Sequence, residues 1–435
     1  MSQIIRAARD SFPERATTGE TSNDAKETVM KSYNPALLRL ELLAQGLKVD
    51  PEFNKQLGAT LKEPLWTRTG PTSTGMDLRL EQGMYCSPAL EGERFPWHYK
   101  NTPFLLTRDA DGRAVITKNG EHVQHVTPSP RPSFYGKTTS SGNPMEKIGV
   151  VTGDFLAIAL DNRCWFWGYY RDDELTEYKE RQCKFCGIGL SMKRDELYRK
   201  SNEDILEVVA AAVEGGDAKH VGLNAGSFAP PGRGHEEYAE LVREIKRRHD
   251  VWIRLSICPP EDEKYIDILY EAGADQIGYD IEVFDNETYE HICPGKFLEV
   301  DRGRHHEHFY RMLSYAAKRG GPNKAYSILV TGLEPLESTI AGIEKLCQIG
   351  VVPRMGIFRP IPGTHLEKHP TPSPAYLVHV YRALRELTMR YGVDSGCPGC
   401  GRTFVSTKIY DGVNPVMPEI TDEDVRLAGI DLSRV

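Results

Sequence analysis

From Ile148 to Tyr391 short apolar runs alternate with longer amphipathic ones, and this alternation narrows the possible fold more than any other feature of the chain. The spacing predicts strands over 155–160, 220–224, 251–256, 275–282, 326–330 and 352–358. Between and after them it predicts helices over 205–213, 236–249, 263–271, 306–319, 338–348 and 375–391. Ser201-Asn202-Glu203-Asp204 has capping-box spacing ahead of the first of these helices. Strict strand-helix alternation demands a parallel sheet with right-handed crossovers, and six such units suit an α/β partial (β/α)6 parallel barrel.

Ahead of the barrel the pattern changes. Residues 1–34 read as a polar arm. The stretch 35–147 reads as a mixed, mainly β-rich domain: it opens on an amphipathic helix from Pro35 to Gly46, and Asp111-Gly112 and Asn119-Gly120 mark hairpin turns between short alternating runs. Pro128, Pro130 and Pro132 mark a connector. The barrel is expected over 148–392 and a C-terminal extension over 393–435. A formal charge of −8 favours neither nucleic acid nor an anionic membrane as partner. No apolar run is long enough to cross a bilayer, and the first thirty residues lack the order of a secretory signal, so the expected location is cytoplasmic.

Nine cysteines, two pairs of them at CxxC spacing, point in a reducing compartment to metal or redox work. Gln182-Cys183-Lys184-Phe185-Cys186-Gly187 follows the first barrel strand in a long loop that also carries Asp161-Asn162-Arg163-Cys164, with eighteen residues between Cys164 and Cys183. Three thiolates there can hold a cubane cluster with one iron left open, and the bland alternatives are a structural zinc or unrelated thiols. Gly396-Cys397-Pro398-Gly399-Cys400-Gly401 is a tight knuckle presenting two sulfurs. Cys86 is the candidate third ligand for it and Cys293 another, with zinc or a disulfide as alternatives. Cys258 and Cys347 lie in apolar runs and read as core thiols. His305, His306 and His308 read as a solvated helix start.

The three-cysteine loop after a first barrel strand, with the aromatic Phe185 between its last two cysteines, resembles the radical S-adenosylmethionine superfamily, biotin synthase and lipoyl synthase relatives in particular. The resemblance runs over roughly 148–367. It implies a 4Fe-4S cluster on Cys164, Cys183 and Cys186, and S-adenosylmethionine cleaved there to a 5′-deoxyadenosyl radical. Asn224-Ala225-Gly226-Ser227 stands where relatives hold the methionine amino group by backbone contacts. Glu282 stands where they place an acidic or amide residue near the cofactor, and Arg254 or Arg304 is the candidate partner for the methionine carboxylate. Phe358-Arg359-Pro360-Ile361-Pro362-Gly363-Thr364 matches a segment that lies against adenine. Cys86, Cys397 and Cys400 would then form an auxiliary cluster like that of sulfur-inserting relatives. The implied reaction is sulfur insertion or other C–H functionalisation of a small or carrier-bound substrate, with ferredoxin or flavodoxin as reductant. A carbon-carbon rearrangement or lyase and a non-enzymatic zinc or iron-sulfur scaffold are the alternatives.

Overall fold

In the computed structural model the described residues are 33–57, 76–91, 98–171, 174–190, 197–395, 401–408 and 417–435. Cys397 and Cys400 lie outside them, as does the N-terminal arm up to Ser32.

The helix expected at the start of the chain is α1, Pro35–Gln45. Asn34 caps it, its side-chain oxygen accepting from the amides of Ala36 and Leu37. Six strands then form one sheet: β1 Lys48–Val49, β2 Leu78–Leu80, β3 Tyr85–Cys86, β4 Phe104–Arg108, β5 Ala114–Lys118 and β6 Glu121–Pro128, in the order β1-β4-β5-β6-β2-β3. Both predicted hairpin turns are present. Gly112 turns β4 into β5 at φ 79°, and Asn119 and Gly120, at 52° and 87°, turn β5 into β6. Positive φ at two successive residues matches the right-handed twist of the flanking strands.

The second sheet has eight strands. Six run parallel: β8 Phe155–Ala159, β11 His220–Asn224, β12 Trp252–Ile257, β13 Gln276–Tyr279, β14 Ala325–Thr331 and β15 Val352–Ile357. The expected six β/α units are therefore observed, as an α/β partial barrel. Two strands that the periodicity did not reveal close its edges antiparallel: β7 Gly149–Thr152 on β8, and β16 Phe404–Val405 on β15. A short ribbon, β9 Gly168–Arg171 and β10 Glu174–Glu177, stands apart in the cysteine loop. β13 and β15 are buried at every residue, the polar Gln276 and charged Arg354 included.

One apolar core continues through both sheets, from Leu37 and Leu38 of α1 to Val425 near the C-terminus. The N-terminal sheet is also tied to the barrel edge by hydrogen bonds: the Ser87 amide donates to the Arg402 carbonyl at 3.0 Å, and the Arg359 guanidinium donates to the Ser87 carbonyl.

Candidate active site

The C-terminal ends of the parallel strands open into a cavity of about 290 Å³, and the cysteine loop forms one side of it. Cys164 lies just past β8. Its loop is held by the Asp161 carboxylate, which accepts from the Arg163 Nε at 3.0 Å and from Arg199 at 3.2 Å. The turn after β11 presses against it: Trp165 donates its amide to the Ser227 carbonyl at 2.7 Å, and Gly226 donates to the Asp161 carbonyl at 3.0 Å. Gly226 is demanded by this approach, because a Cβ there would lie 2.0 Å from the Arg163 carbonyl oxygen and 2.7 Å from the Cys164 Cβ. The eighteen intervening residues double back through the β9-β10 ribbon, and Cys183 and Cys186 return to the same cavity as Cys164. A turn closes the pair, the Cys186 amide donating to the Cys183 carbonyl at 3.0 Å, while the Lys184 amide donates to the Ile292 carbonyl at 2.9 Å.

Burial raises the Cys164 thiol to about 11 and Cys186 further. Cys183 is raised by its contact with the Cys293 thiol and then by burial. The thiols also oppose one another's ionisation. Such a set gives up its protons when a metal supplies the compensating charge, and soft thiolate donors select iron-sulfur clusters, zinc or copper(I). Among the described residues no three His, Cys, Asp or Glu side chains close in on one point as they would around a single ion. A cubane places each thiolate on its own iron and needs a wider spacing. The donor set therefore fits a cluster.

The cavity also brings together most of the other predicted residues. Phe185, Asn224, Ala225, Gly226, Ser227, Arg254, Glu282 and Phe358 all line it. Arg304 does not: it lies in a separate surface pocket with Arg302 and Arg311, more than half exposed and 3.3 Å from Glu307. Glu282 sits at φ 69°, outside the extended region, so β13 ends earlier than its apolar pattern suggests. Asp280 is engaged within the fold, accepting from the Ser256 hydroxyl at 2.7 Å and the Ile328 amide at 3.1 Å.

Lys296, also at the cavity, was not singled out from sequence. Lys296 donates to Glu282 at 2.5 Å and to the Asp280 carbonyl at 2.8 Å. Burial lowers its proton affinity, but Glu282 and the neighbouring Cys183, Cys293 and Cys258 together raise it well above the usual value, so it is a buried ammonium facing the thiols. Burial lifts Glu282 to about 7 against the opposing pull of the adjacent ammonium. Cys258 belongs to the apolar core as expected and also lines the cavity, because it is the first residue past β12, where strand ends face the site. That position was the available signal. Cys293 is fully buried against Cys183, whereas Cys347 is a buried helix residue as expected.

Cys86 is fully buried on β3, its thiol raised to about 12 by burial, and the neighbouring Ser87 is bonded to the Arg402 carbonyl. Its expected partners Cys397 and Cys400 lie outside the described residues. The reading of the three histidines as a solvated start is corrected at His306. Left-handed turns at Arg302, His305 and His306 tuck that ring under the chain, 1% exposed and stacked 3.8 Å from Tyr289.

The fold and site define a parallel half-barrel with three cysteines gathered at its strand ends. The Radical SAM superfamily signature matches residues 180–346, which include Cys183 and Cys186 but neither Cys164 nor β16. The chain is 25% identical over 296 residues to the bacteriochlorophyllide c C-7(1)-hydroxylase of Chlorobaculum limnaeum, covering 62% of this chain and 69% of that protein. Solved structures of similar outline include methylornithine synthase, at 18% identity and TM-score 0.40 over 64% of this chain and 82% of that one. The hydrogenase maturase HydG of Carboxydothermus hydrogenoformans is similar at 16% identity and TM-score 0.39, over 64% and 68%. Residues 180–346 carry a Radical SAM superfamily domain, and the chain is an enzyme.

Proposed function

We propose that the chain holds a 4Fe-4S cluster on Cys164, Cys183 and Cys186 and uses it to cleave S-adenosylmethionine for the functionalisation of a substrate C–H bond, sulfur insertion included. The convergence of three half-buried thiols, two from the CxxC and one from across an inserted ribbon, on one cavity carries this reading. When bound, such a cluster supplies one electron to the sulfonium and so generates the 5′-deoxyadenosyl radical that takes a substrate hydrogen atom.

The chain's own residues position and shield. Asn162, 2% exposed, lines the cavity two residues before Cys164, and its amide nitrogen has no hydrogen-bond partner among the described residues. It is a ready donor to the carboxylate or ribose of the cofactor. Lys296 balances the negative charge of the thiolates. Arg254, held over the Phe155 ring at 4.4 Å, offers a guanidinium from the floor, and Glu282 and the turn at Asn224 to Ser227 complete the cofactor wall. Phe185 and Phe358 share an apolar cluster with Cys183 and Cys186, which keeps water from the metal. The hydroxylase among the relatives supports C–H functionalisation as the reaction type.

An auxiliary cluster on Cys86, Cys397 and Cys400, a ferredoxin or flavodoxin reductant, a small or carrier-bound substrate and a cytoplasmic location belong to the same reading. Anaerobic reconstitution followed by iron and sulfide analysis tests it. About four irons per chain are expected for one cluster and about eight for two, with 5′-deoxyadenosine formed under dithionite. Zinc without sulfide sinks the proposal. Replacing Cys397 and Cys400 with Ala should remove only the second cluster's iron.

A further inference from the structure

The wall of the cavity formed by β16 and the turn before it lies beyond the stretch that matches the superfamily. Arg402, Thr403 and Phe404 line the cavity there, and β16 is fixed to β15 by the pairs Gly356 with Phe404 and Met355 with Val405. Two polar groups on this wall have hydrogen-bonding capacity left over. Thr403 is 1% exposed and its hydroxyl has no hydrogen-bond partner among the described residues, a net cost to folding. Arg402 is 6% exposed and makes both of its side-chain hydrogen bonds through Nη1, to Asp77 at 2.5 Å and to the Ser87 hydroxyl at 3.1 Å. Asp77 thus holds one corner of the guanidinium, while Nη2 and Nε have no acceptor among the described residues. Arg359, also buried, lines the same wall.

A planar guanidinium anchored at one corner, beside a hydroxyl in the next residue, matches an oxygen-rich anionic group that accepts two parallel N–H bonds and one O–H bond. We propose that Arg402 and Thr403 form the subsite for an oxyanionic substituent, a carboxylate or a phosphate, of the substrate. This rests on the reading of the cavity as the place where substrate meets the cofactor. Both groups come from the turn before β16 and lie outside residues 180–346.

Calorimetric titration of reconstituted protein carrying S-adenosylmethionine tests the proposal, with succinate and phenyl phosphate as probes. Wild type is expected to bind one of the two at millimolar concentration or below, and which one it binds separates carboxylate from phosphate. Arg402→Lys retains the charge but not the fork and should weaken that binding by about tenfold. Thr403→Val keeps the shape, loses the hydroxyl, and should weaken it by about fivefold to tenfold. Because Val also removes an unbonded buried hydroxyl, Thr403→Val should melt no lower than wild type; a lower melting temperature would show the hydroxyl serving the fold and overturn the proposal. Binding of neither probe, equal binding by wild type and both variants, or a loss of S-adenosylmethionine affinity in place of probe affinity would also overturn it. If wild type forms 5′-deoxyadenosine but binds neither probe, only this subsite fails. If it forms none, the broader functional reading fails with it.

Discussion

Replacing Gly226 with Ala asks whether the turn after β11 positions Cys164. The added carbon would lie 2.0 Å from a backbone oxygen and 2.7 Å from both the carbonyl carbon of Arg163 and the Cβ of Cys164. No rotamer change relieves contacts with backbone, so the turn and the cysteine loop must separate. Overpacking of this kind costs about 1–3 kcal/mol, and a backbone clash belongs at the upper end. At about 2.1 cal/mol/K per residue, a folded unit of roughly 400 residues unfolds with an entropy near 0.85 kcal/mol/K, so the apparent Tm should fall by only ~2–4 °C. The cluster should suffer much more, because a displacement of about 1 Å misplaces one of three ligands. Iron bound after reconstitution should drop well below half of the wild-type value, with a matching loss of absorbance near 400 nm. Gly216→Ala is the control. It forces a side chain into a left-handed φ of 74° with nothing within 4 Å, which costs stability of similar size without touching the site. If Gly226→Ala binds iron as fully as Gly216→Ala, the turn does not position Cys164 and the reasoning is wrong.

Cys164→Ala, Cys183→Ala and Cys186→Ala should each abolish stable cluster iron, measured by ferrozine assay, whereas Cys347→Ala in its buried helix should retain it. Lys296→Met leaves Glu282 buried without its cation and should lower stability by about 3–5 kcal/mol in urea unfolding, with Glu282→Gln in the same chain recovering most of it; additive losses would refute the coupling. His235 and His306 are held neutral by burial, each lowered to about 3. Their folded values lie below the unfolded ones, so the unfolded chain takes up protons first as pH falls below 6.5. Stability is therefore complete above that pH and declines toward 3, by about 1.4 kcal/mol per histidine at pH 5.5. Urea midpoints at pH 7.5 and 5.5 check this, and a pH-independent midpoint would count against it.

Much of the barrel was legible because each element announces itself locally. Ser201 caps its helix by accepting from the Asp204 amide, as the spacing at Ser201 to Asp204 requires, and the strand at His220 to Asn224 carries its whole signal in five residues. β7 and β16 were not legible. A four-residue and a two-residue strand have too little periodicity to read, and both exist because a longer neighbour offers them a free edge. The two helices Asn286–Ile292 and Pro294–Glu299, which bring Lys296 to the site, are likewise too short to stand out.

By itself the sequence determined the order of strands and helices, the two hairpin turns and the chemical identity of the CxxC donors, since these depend on neighbours within a few residues. Only the tertiary structure decided which distant groups share the cavity. It brought Cys164 back to Cys183 and Cys186 across the ribbon, admitted Cys258, Lys296 and Arg402, and left Arg304 on the surface. The reason is physical: closing a barrel fixes which strand ends converge, and convergence depends on strand tilt, register and the packing of loops rather than on any local pattern.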